Sequence, residues 1–447
     1  MGKYFGTDGI RGIANEELDA SLAFRVGRAA AYVLTKHTEK RAKFLIGKDT
    51  RISSDMLEAA LTAGLCSAGA DVQLLGVIPT PAVAYLTIKH QADAGIVISA
   101  SHNPFEHNGI KIFSGAGYKL SDALEEEIET YIDKSQEIPN AVCDKIGRVL
   151  DNAIDPVTEY VAHLAGTIEG DLSGMRVAVD CANGASSRTV RKLFDSLGVA
   201  AEFAFTEYNG ININDGCGST HLEDLCRRVK EGTYDLGIAF DGDADRCLVV
   251  DDRGEVLDGD RIMAVCATGM QQQGRLKNQA FVATVLSNMG LHEYARNHGF
   301  GIECANVGDR YVLEKMLSGG YVLGGEQSGH IIFREFATTG DGELTAVQFM
   351  KLLRDSGKKA SELAEMVQPY PQVMLNVPVP NALKGSLSQR PAVRAAIENA
   401  ERDLGDGRIL VRPSGTEALV RVMVEGKNEQ SVKSAAEYVA KVIEDSI

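Results

Sequence analysis

Short apolar runs at 44–47, 72–77, 95–99, 176–180, 235–240 and 281–286 alternate with longer stretches in which apolar residues recur at helical spacing. Leu22, Val26, Ala29, Ala30 and Val33 would share one helical face, and so would Leu124, Ile128, Tyr131 and Ile132. Strand-length runs alternating with amphipathic helices predict α/β architecture. Several strands lead into Gly- or Asp-rich turns: Gly47-Lys48-Asp49-Thr50-Arg51, Asp180-Cys181-Ala182-Asn183-Gly184 and Asp241-Gly242-Asp243-Ala244-Asp245. In open α/β sheets ligands bind beyond the carboxyl ends of the strands, so chemistry is to be sought in these turns.

The chain has 447 residues, more than one core holds at ~100–200 residues per domain. Pro139, Asn140, Asn152 and Pro156 interrupt the pattern around 136–155, and a polar, glycine-containing stretch covers 251–260. Pro369, Pro371, Pro378 and Pro380 punctuate 368–380. These breaks predict domains at 1–155, 156–255, 256–368 and 369–447. The first three read as similar α/β domains. The last reads strand, strand, helix: 419–424 is β-rich, and Val432, Ala435, Ala436, Val439 and Ile443 form a helical stripe. That is a smaller α+β domain.

Apolar residues make up 44% and charged residues 24%, the balance of a globular chain. The formal net charge of -16 argues against nucleic acid as a partner, because a phosphate backbone selects for basic surface. It leaves small anionic substrates open, since a local cluster of Arg and Lys overrides the global field. The eight cysteines contain no CxxC, which suggests neither a zinc site nor a redox pair and predicts reduced thiols. No apolar h-region opens the chain, Gly6 breaks a myristoylation pattern, and no apolar run reaches ~18 residues. The expectation is a cytoplasmic protein with no membrane partner.

Five blocks carry candidate chemistry. In Ser99-Ala100-Ser101-His102-Asn103-Pro104, Ser101 falls just past a strand on a turn, where a hydroxyl can serve as a covalent carrier. A plain turn with polar capping residues would read the same. The GxSxG elbow of acyl transfer is absent. In Asp241-Gly242-Asp243-Ala244-Asp245-Arg246, carboxylates at alternating positions repel one another unless something neutralises them, and an all-oxygen set suits magnesium. An EF-hand does not fit, with Arg246 and Asp252 where glycine and glutamate are needed; a solvated acidic turn stays open. In Gly324-Gly325-Glu326-Gln327-Ser328-Gly329-His330, glycines allow close backbone approach while Glu326 and Ser328 suit sugar hydroxyls. A Gly-rich turn with a satisfied histidine is the alternative. Arg412-Pro413-Ser414-Gly415-Thr416-Glu417, with Arg421 beyond, suits a phosphate dianion or a turn entering a strand. Phe5-Gly6-Thr7-Asp8-Gly9-Ile10-Arg11-Gly12 offers an anion contact at Arg11 or a mobile turn.

Together and in this order, the five blocks resemble the α-D-phosphohexomutase family over essentially the whole chain. The resemblance implies four domains around a central cleft, each giving one loop. It implies that Ser101 is a phosphoserine and that Asp241, Asp243 and Asp245 hold one Mg2+ per subunit together with its phosphate. It further implies Glu326 and Ser328 as sugar-hydroxyl contacts, and Arg412, Ser414, Gly415 and Thr416, with Arg421, as the clamp for the distal phosphate. Arg11, His102, Lys111 and Arg246 match positions lining the reaction centre, and Lys111 and His330 match the general acid and base. Within the family the opening block, Gly325-Glu326-Gln327-Ser328-Gly329-His330 and Val307-Gly308-Asp309-Arg310-Tyr311-Val312 are similar to the branch acting on glucosamine phosphates. The pattern sets Ser-Gly after Arg51-Ile52, where this chain has Ser53-Ser54.

The implied reaction interconverts glucosamine 6-phosphate and glucosamine 1-phosphate through a 1,6-bisphosphate, on the route to UDP-N-acetylglucosamine and cell-wall precursors. Glucosamine or glucose 1,6-bisphosphate is the implied activator, and a homodimer the family-level expectation. Lys111 can act as base only if nearby cations lower its pKa. Closure of the last domain on Ser101 would keep water from the phosphoserine. Three alternatives are carried forward. One is a phosphoglucomutase or phosphomannomutase of the same family. Another is a haloacid dehalogenase-like phosphatase with Asp241 as nucleophile, although Asp245 stands where that class needs threonine. The third is a non-catalytic sugar-phosphate binder.

Overall fold

The computed structural model describes residues 2–6, 8–36, 40–151, 154–413 and 418–447. The chain makes two compact units, one reaching to Leu286 and taking in Gly299–Met366, the other joining Ser287–His298 to Val367–Ile447.

Three sheets build the first unit. The first holds β1 (Phe5–Gly6), β2 (Gly9–Ile13), β3 (Lys43–Lys48), β4 (Asp71–Val77), β5 (Ala94–Ile98) and β6 (His107–Ser114), in the order β1-β2-β6-β5-β3-β4. β3 is parallel to β4 and β5, and β6 is antiparallel to β5. β5 is buried along its whole length, hence its continuous apolar run. The predicted stripe from Leu22 to Val33 is buried on the helix Ala20–Thr35, capped by Asp19, which accepts from the Leu22 amide at 2.6 Å. That helix meets Ser53–Ser67 backbone to backbone. A Cβ on Gly27 would lie 2.5 Å from the Leu61 carbonyl oxygen, and one on Gly64 would lie 2.2 Å from that of Phe24. The second stripe lies on Asp122–Asp133, with Ile128 and Ile132 in the core.

The second sheet runs β11-β10-β9-β7-β8, from β7 (Arg176–Asp180), β8 (Ala200–Ala204), β9 (Leu236–Phe240), β10 (Cys247–Asp251) and β11 (Val256–Leu257). The third runs β13-β12-β14-β15, from β12 (Ala280–Thr284), β13 (Gly301–Ala305), β14 (Leu323–Gly325) and β15 (Ile331–Phe333).

One device recurs in all three. A strand parallel to its neighbour turns back into an antiparallel partner: β5 into β6, β9 into β10 with Phe240 opposite Cys247, and β14 into β15 with Gly325 opposite Ile331. The blocks beginning at Ser99, Asp241 and Glu326 are therefore hairpin connections, not crossovers into helices. Of the Gly- or Asp-rich turns singled out in the sequence, those after β3 and β7 lead instead into helical segments, Ser53–Ser67 and Ala185–Arg188.

The C-terminal unit has one antiparallel sheet, β16-β18-β17, from β16 (Gln372–Pro378), β17 (Arg408–Pro413) and β18 (Leu419–Glu425). Its α+β character matches the expectation, and the stripe from Val432 to Ile443 is buried on Glu429–Glu444. The strand-strand-helix reading was short by β16 and by the helix Pro391–Leu404. β16 is an edge strand, where proline costs no ladder hydrogen bond, so the proline-rich stretch that reads as a break partly pairs. Among the described residues no helix is long and apolar enough to cross a membrane.

Candidate active site

Ser101 is buried just beyond β5, with φ at 54°, a left-handed conformation that a non-glycine residue seldom holds. Its amide donates to Ser99 Oγ at 2.9 Å. The wholly buried guanidinium of Arg51, ion-paired with Asp49, donates to the carbonyls of Ser101 (3.1 Å) and Asn103. Asn214 Nδ2 donates to the same two carbonyls, 3.0 Å from each. The turn is thus gripped from both sides. Its hydroxyl faces the second hairpin: Ser101 Oγ donates to Asp241 Oδ2 at 2.6 Å and lies 3.3 Å from His102 Nδ1.

The β9–β10 connection presents Asp241, Asp243 and Asp245, all buried, with carboxylate oxygens within 4.8 Å of one another. Asp243 Oδ2 accepts from Thr80 Oγ1 at 2.6 Å and from Lys111 Nζ at 2.8 Å. Burial and the charges of Asp245 and Asp243 push the Asp241 carboxyl well above the carboxylate range, against the pull of Arg246 and the Ser101 hydroxyl. Burial raises Asp245 as well, yet the charge of Lys111 and the hydrogen-bonding neighbour His330 prevail and hold it well below that range. The Oδ1 atoms of Asp243 and Asp245 are buried without a hydrogen-bond partner among the described residues. Three packed carboxylates with two orphaned oxygens fit a hard divalent cation. Close by, the Nε atoms of Arg11 and Arg246 are buried donors that make no hydrogen bond among the described residues, Arg246 Nε standing 3.9 Å from Asp245 Oδ1, and both could donate to an anion.

The β14–β15 connection closes as a tight turn, the Gly329 amide donating to the Glu326 carbonyl at 3.0 Å. Glu326 and Ser328 are half-buried on it, and His330 is buried at its foot. Glu326 Oε1 accepts from the Gly308 amide at 2.9 Å. The Gly340 amide donates to His330 Nε2 at 3.0 Å, which puts the proton of the neutral ring on Nδ1, 3.6 Å from Asp245 Oδ2. Burial disfavours the imidazolium, but Asp245 prevails and raises the pKa.

These groups close a ring of alternating basic and acidic side chains. Lys111 lies 3.1 Å from Asp8; Asp8 pairs with Lys119; Lys119 pairs with Asp309; Asp309 is 3.7 Å from His330; and Asp245 lies 3.5 Å from Lys111. Burial disfavours the Lys111 ammonium, but Asp243, Asp8 and Asp245 prevail and raise its pKa well above the usual lysine value. Its neighbours are chiefly anions, where a base would need cations. His102 differs: burial, with Arg246 and Arg11, lowers its pKa to about 4, so it is neutral at pH 7.

In the C-terminal unit Arg412 and Arg421 are directly paired across β17 and β18. Ser414, Gly415 and Thr416, like Thr7 of the opening block, lie outside the described residues. The structure therefore brings together Arg11, Ser101, His102, Lys111, the three aspartates, Arg246, Glu326 and His330, while Ser328 is placed on the same turn as Glu326. Sequence reasoning assigned no task to Asp8, Arg51, Thr80, Lys119, Asn214 or Asp309. For Arg51 the available signal was an arginine two residues past Asp49 in a strand-end turn.

Comparison with known proteins agrees with this geometry. Family models for phosphoglucomutase/phosphomannomutase match alpha/beta/alpha domain I at residues 2–139, domain II at 158–254, domain III at 258–370 and the C-terminal domain at 374–442. A phosphoglucosamine mutase of Caldicellulosiruptor bescii is 53% identical over 451 residues, with 100% of both chains covered. Among solved structures, a phosphoglucomutase/phosphomannomutase family protein of Burkholderia thailandensis matches with a TM-score of 0.81 at 22% identity, over 98% of this chain and 97% of that one. An Aspergillus fumigatus N-acetylphosphoglucosamine mutase, in complex with GlcNAc-6P and magnesium, matches with a TM-score of 0.72 at 18% identity, over 99% of this chain and 96% of the other. With all four domains matched in order, the chain belongs to the phosphoglucomutase/phosphomannomutase family.

Proposed function

We propose that this chain is an isomerase that interconverts glucosamine 6-phosphate and glucosamine 1-phosphate by carrying a phosphoryl group on Ser101. The observation that carries the reading is the Ser101 hydroxyl, 2.6 Å from a buried carboxylate triad, on a turn held from both sides. The choice of sugar rests on the full-length likeness to a phosphoglucosamine mutase.

Phosphorylated Ser101 gives its phosphoryl group to the free sugar hydroxyl. The Oγ–P bond breaks, a P–O bond to the sugar forms, and the hydroxyl's proton ends on Ser101 Oγ. The bound 1,6-bisphosphate turns over, and Ser101 takes the other phosphoryl group with the reverse proton movement. Asp241, Asp243 and Asp245, with the phosphoserine, would hold one Mg2+, which when bound supplies charge stabilisation for the transferring group. Arg11 and Arg246 offer their Nε donors, not hydrogen-bonded among the described residues, to phosphoryl oxygens. Lys111, kept cationic by its carboxylates, acts as the acid. His330 holds Asp245 in place, with one nitrogen toward that carboxylate and the other occupied by the Gly340 amide. Neutral His102 lies beside Oγ as a proton acceptor. Glu326 and Ser328 read the 3- and 4-hydroxyls. Arg412, Ser414, Gly415, Thr416 and Arg421 clamp the phosphate that is not reacting; two guanidinium groups at paired positions suit one shared anion.

A hexose 1,6-bisphosphate, of glucosamine or glucose, would restore the phosphoserine after accidental hydrolysis. The working assembly is proposed to be a homodimer in the cytoplasm, and eight unbridged cysteines support a reducing compartment.

Phosphorus NMR of the Ser101-phosphorylated protein with magnesium tests the reading, with glucosamine, glucose and mannose 6-phosphates offered at equal concentration. Glucosamine 1-phosphate should grow fastest and fail to appear with Ser101→Ala. Faster turnover of glucose or mannose phosphate would keep the mechanism and change the substrate. No isomerisation of any of them would overturn it.

A further inference from the structure

The segment Gly308-Asp309-Arg310 opens the helix Asp309–Gly319 of the third α/β domain; besides an ion pair with Glu314 on that helix at 3.5 Å, Arg310 reaches into the first domain. Arg310 donates to Glu125 Oε2 at 3.1 Å and to the Leu120 carbonyl at 3.1 Å, and it also pairs with Asp122 at 2.5 Å. All three belong to the first domain, around the start of the helix Asp122–Asp133. Asp309 pairs with Lys119, one residue before Leu120. The same turn also reaches inward, through the Gly308 amide on Glu326 Oε1 at 2.9 Å and Asp309 3.7 Å from His330 Nε2. Gly308 holds φ at 126°, a conformation suited to glycine, so the chain reverses there and presents its amide to Glu326. Two cavities, of about 130 and 160 Å³, both have Arg310 in their walls.

Three consecutive residues thus tie three things together: the first domain, the sugar-reading carboxylate and the ring around Lys111. Towards the first domain Arg310 spans the exposed Asp122, the largely buried Glu125 and the Leu120 carbonyl from one planar group; with Arg310 only 16% exposed, the Glu125 and Leu120 contacts are better shielded than a surface ion pair.

We infer that Gly308-Asp309-Arg310 is a positioning element that fixes the distance between Glu326 and the phosphoryl-transfer centre, with Arg310 as its anchor. Arg310 does not itself touch substrate or the reacting phosphate; it acts through Glu326 and Lys119. This rests on the reading of Ser101 as phosphoryl carrier and Glu326 as sugar contact. It adds that correct seating of the sugar depends on a link between domains that lies outside both loops.

The test separates transfer to sugar from transfer to water. Phosphoserine hydrolysis needs the Ser101 turn and the triad but no seated sugar. In Arg310→Gln, single-turnover transfer from phosphorylated Ser101 to glucosamine 6-phosphate should fall roughly 10- to 100-fold, the range expected when a reactant is misplaced by about an ångström. Hydrolysis of the same phosphoserine without sugar should stay within about twofold of the unmodified chain, since the residues it needs are untouched. Arg310→Lys keeps the charge but loses the planar fork, and should recover part of the transfer. Equal losses of transfer and hydrolysis, or unchanged transfer in Arg310→Gln with the variant folded by circular dichroism, would overturn the inference. If the unmodified chain transfers nothing to glucosamine 6-phosphate while its phosphoserine still hydrolyses, the substrate reading fails instead; transfer to glucose 6-phosphate then serves as the same assay for Arg310.

Discussion

The side-chain amide of Asn214 donates to the carbonyl of Ser101 at 3.0 Å, from a position 113 residues further along the chain. It makes the same bond to Asn103, so one asparagine in the second domain holds both shoulders of a turn in the first. Asn214→Ala removes both bonds, worth about 0.5–1.5 kcal/mol each in net stability. Arg51 still grips the turn from the other side, so the protein should fold, with the Ser101 hydroxyl less firmly aimed. Steady-state kinetics should show kcat reduced roughly 10- to 100-fold with KM changed far less. A loss confined to KM would mean that the contact serves binding instead.

Gly242 lies under the same turn. A Cβ there would meet the Ser101 carbonyl oxygen at 2.6 Å, Ile213 Cδ1 at 2.8 Å and Asn214 Nδ2 at 2.9 Å. Gly242→Ala must push the phosphoserine turn and the aspartate loop apart. We expect a fall in thermal stability of about 1–3 kcal/mol, as for other overpacked sites. The loss of phosphotransfer should exceed that of Asn214→Ala; activity equal to the unmodified chain would show that the two loops can separate without consequence.

Lys111→Met should uncouple metal binding from catalysis. The lysine places its ammonium 2.8 Å from Asp243 and 3.5 Å from Asp245, competing electrostatically with a divalent cation for the same oxygens. Without it, calorimetric titration should show Mg2+ bound more tightly, while phosphotransfer drops at least about 100-fold through loss of the acid. Weaker metal binding would assign Lys111 a part in building the triad.

A pH effect on stability should arise at Asp341, beside the aspartate loop, whose Asp245 charge it feels. Asp341 is buried, accepting from Tyr160 Oη at 2.8 Å and from the Leu344 amide at 2.9 Å, and burial raises its pKa from 3.8 to about 7. With the folded pKa above the unfolded one, the folded chain binds the extra proton. The contribution is complete below pH 3.8 and is lost as pH rises through about 7. Asp341→Asn keeps the shape and the Oδ1 acceptor but does not titrate. Its melting temperature, relative to the unmodified chain, should be more favourable at pH 8 than at pH 5; a difference independent of pH would remove Asp341 from the account.

Much of this was legible in the sequence because the reacting groups come in short contiguous blocks. Asp241, Asp243 and Asp245 share one hairpin tip, and Ser101 follows a strand whose burial shows as an unbroken apolar run. What was not legible acts across the chain. Nothing near Asn214 points to Ser101, and nothing near Lys119 points to Asp309, 190 residues away. Lys111 shows the same limit from the other side. Its sequence position gives its identity but not its company, and three carboxylates from two separate loops decide its protonation. In the C-terminal unit, prolines hid β16 because local propensity cannot tell an edge strand from a linker.

The ring through Lys111, Asp8, Lys119, Asp309, His330 and Asp245 has no ends. Neutralising one member strands two neighbours of like sign, and neutralising one of those neighbours as well relieves part of the damage. Lys119 and Asp309 should therefore behave as a single heritable unit: the double replacement costs less than the sum of the two single ones, and either residue changes by itself only at the full cost of the break.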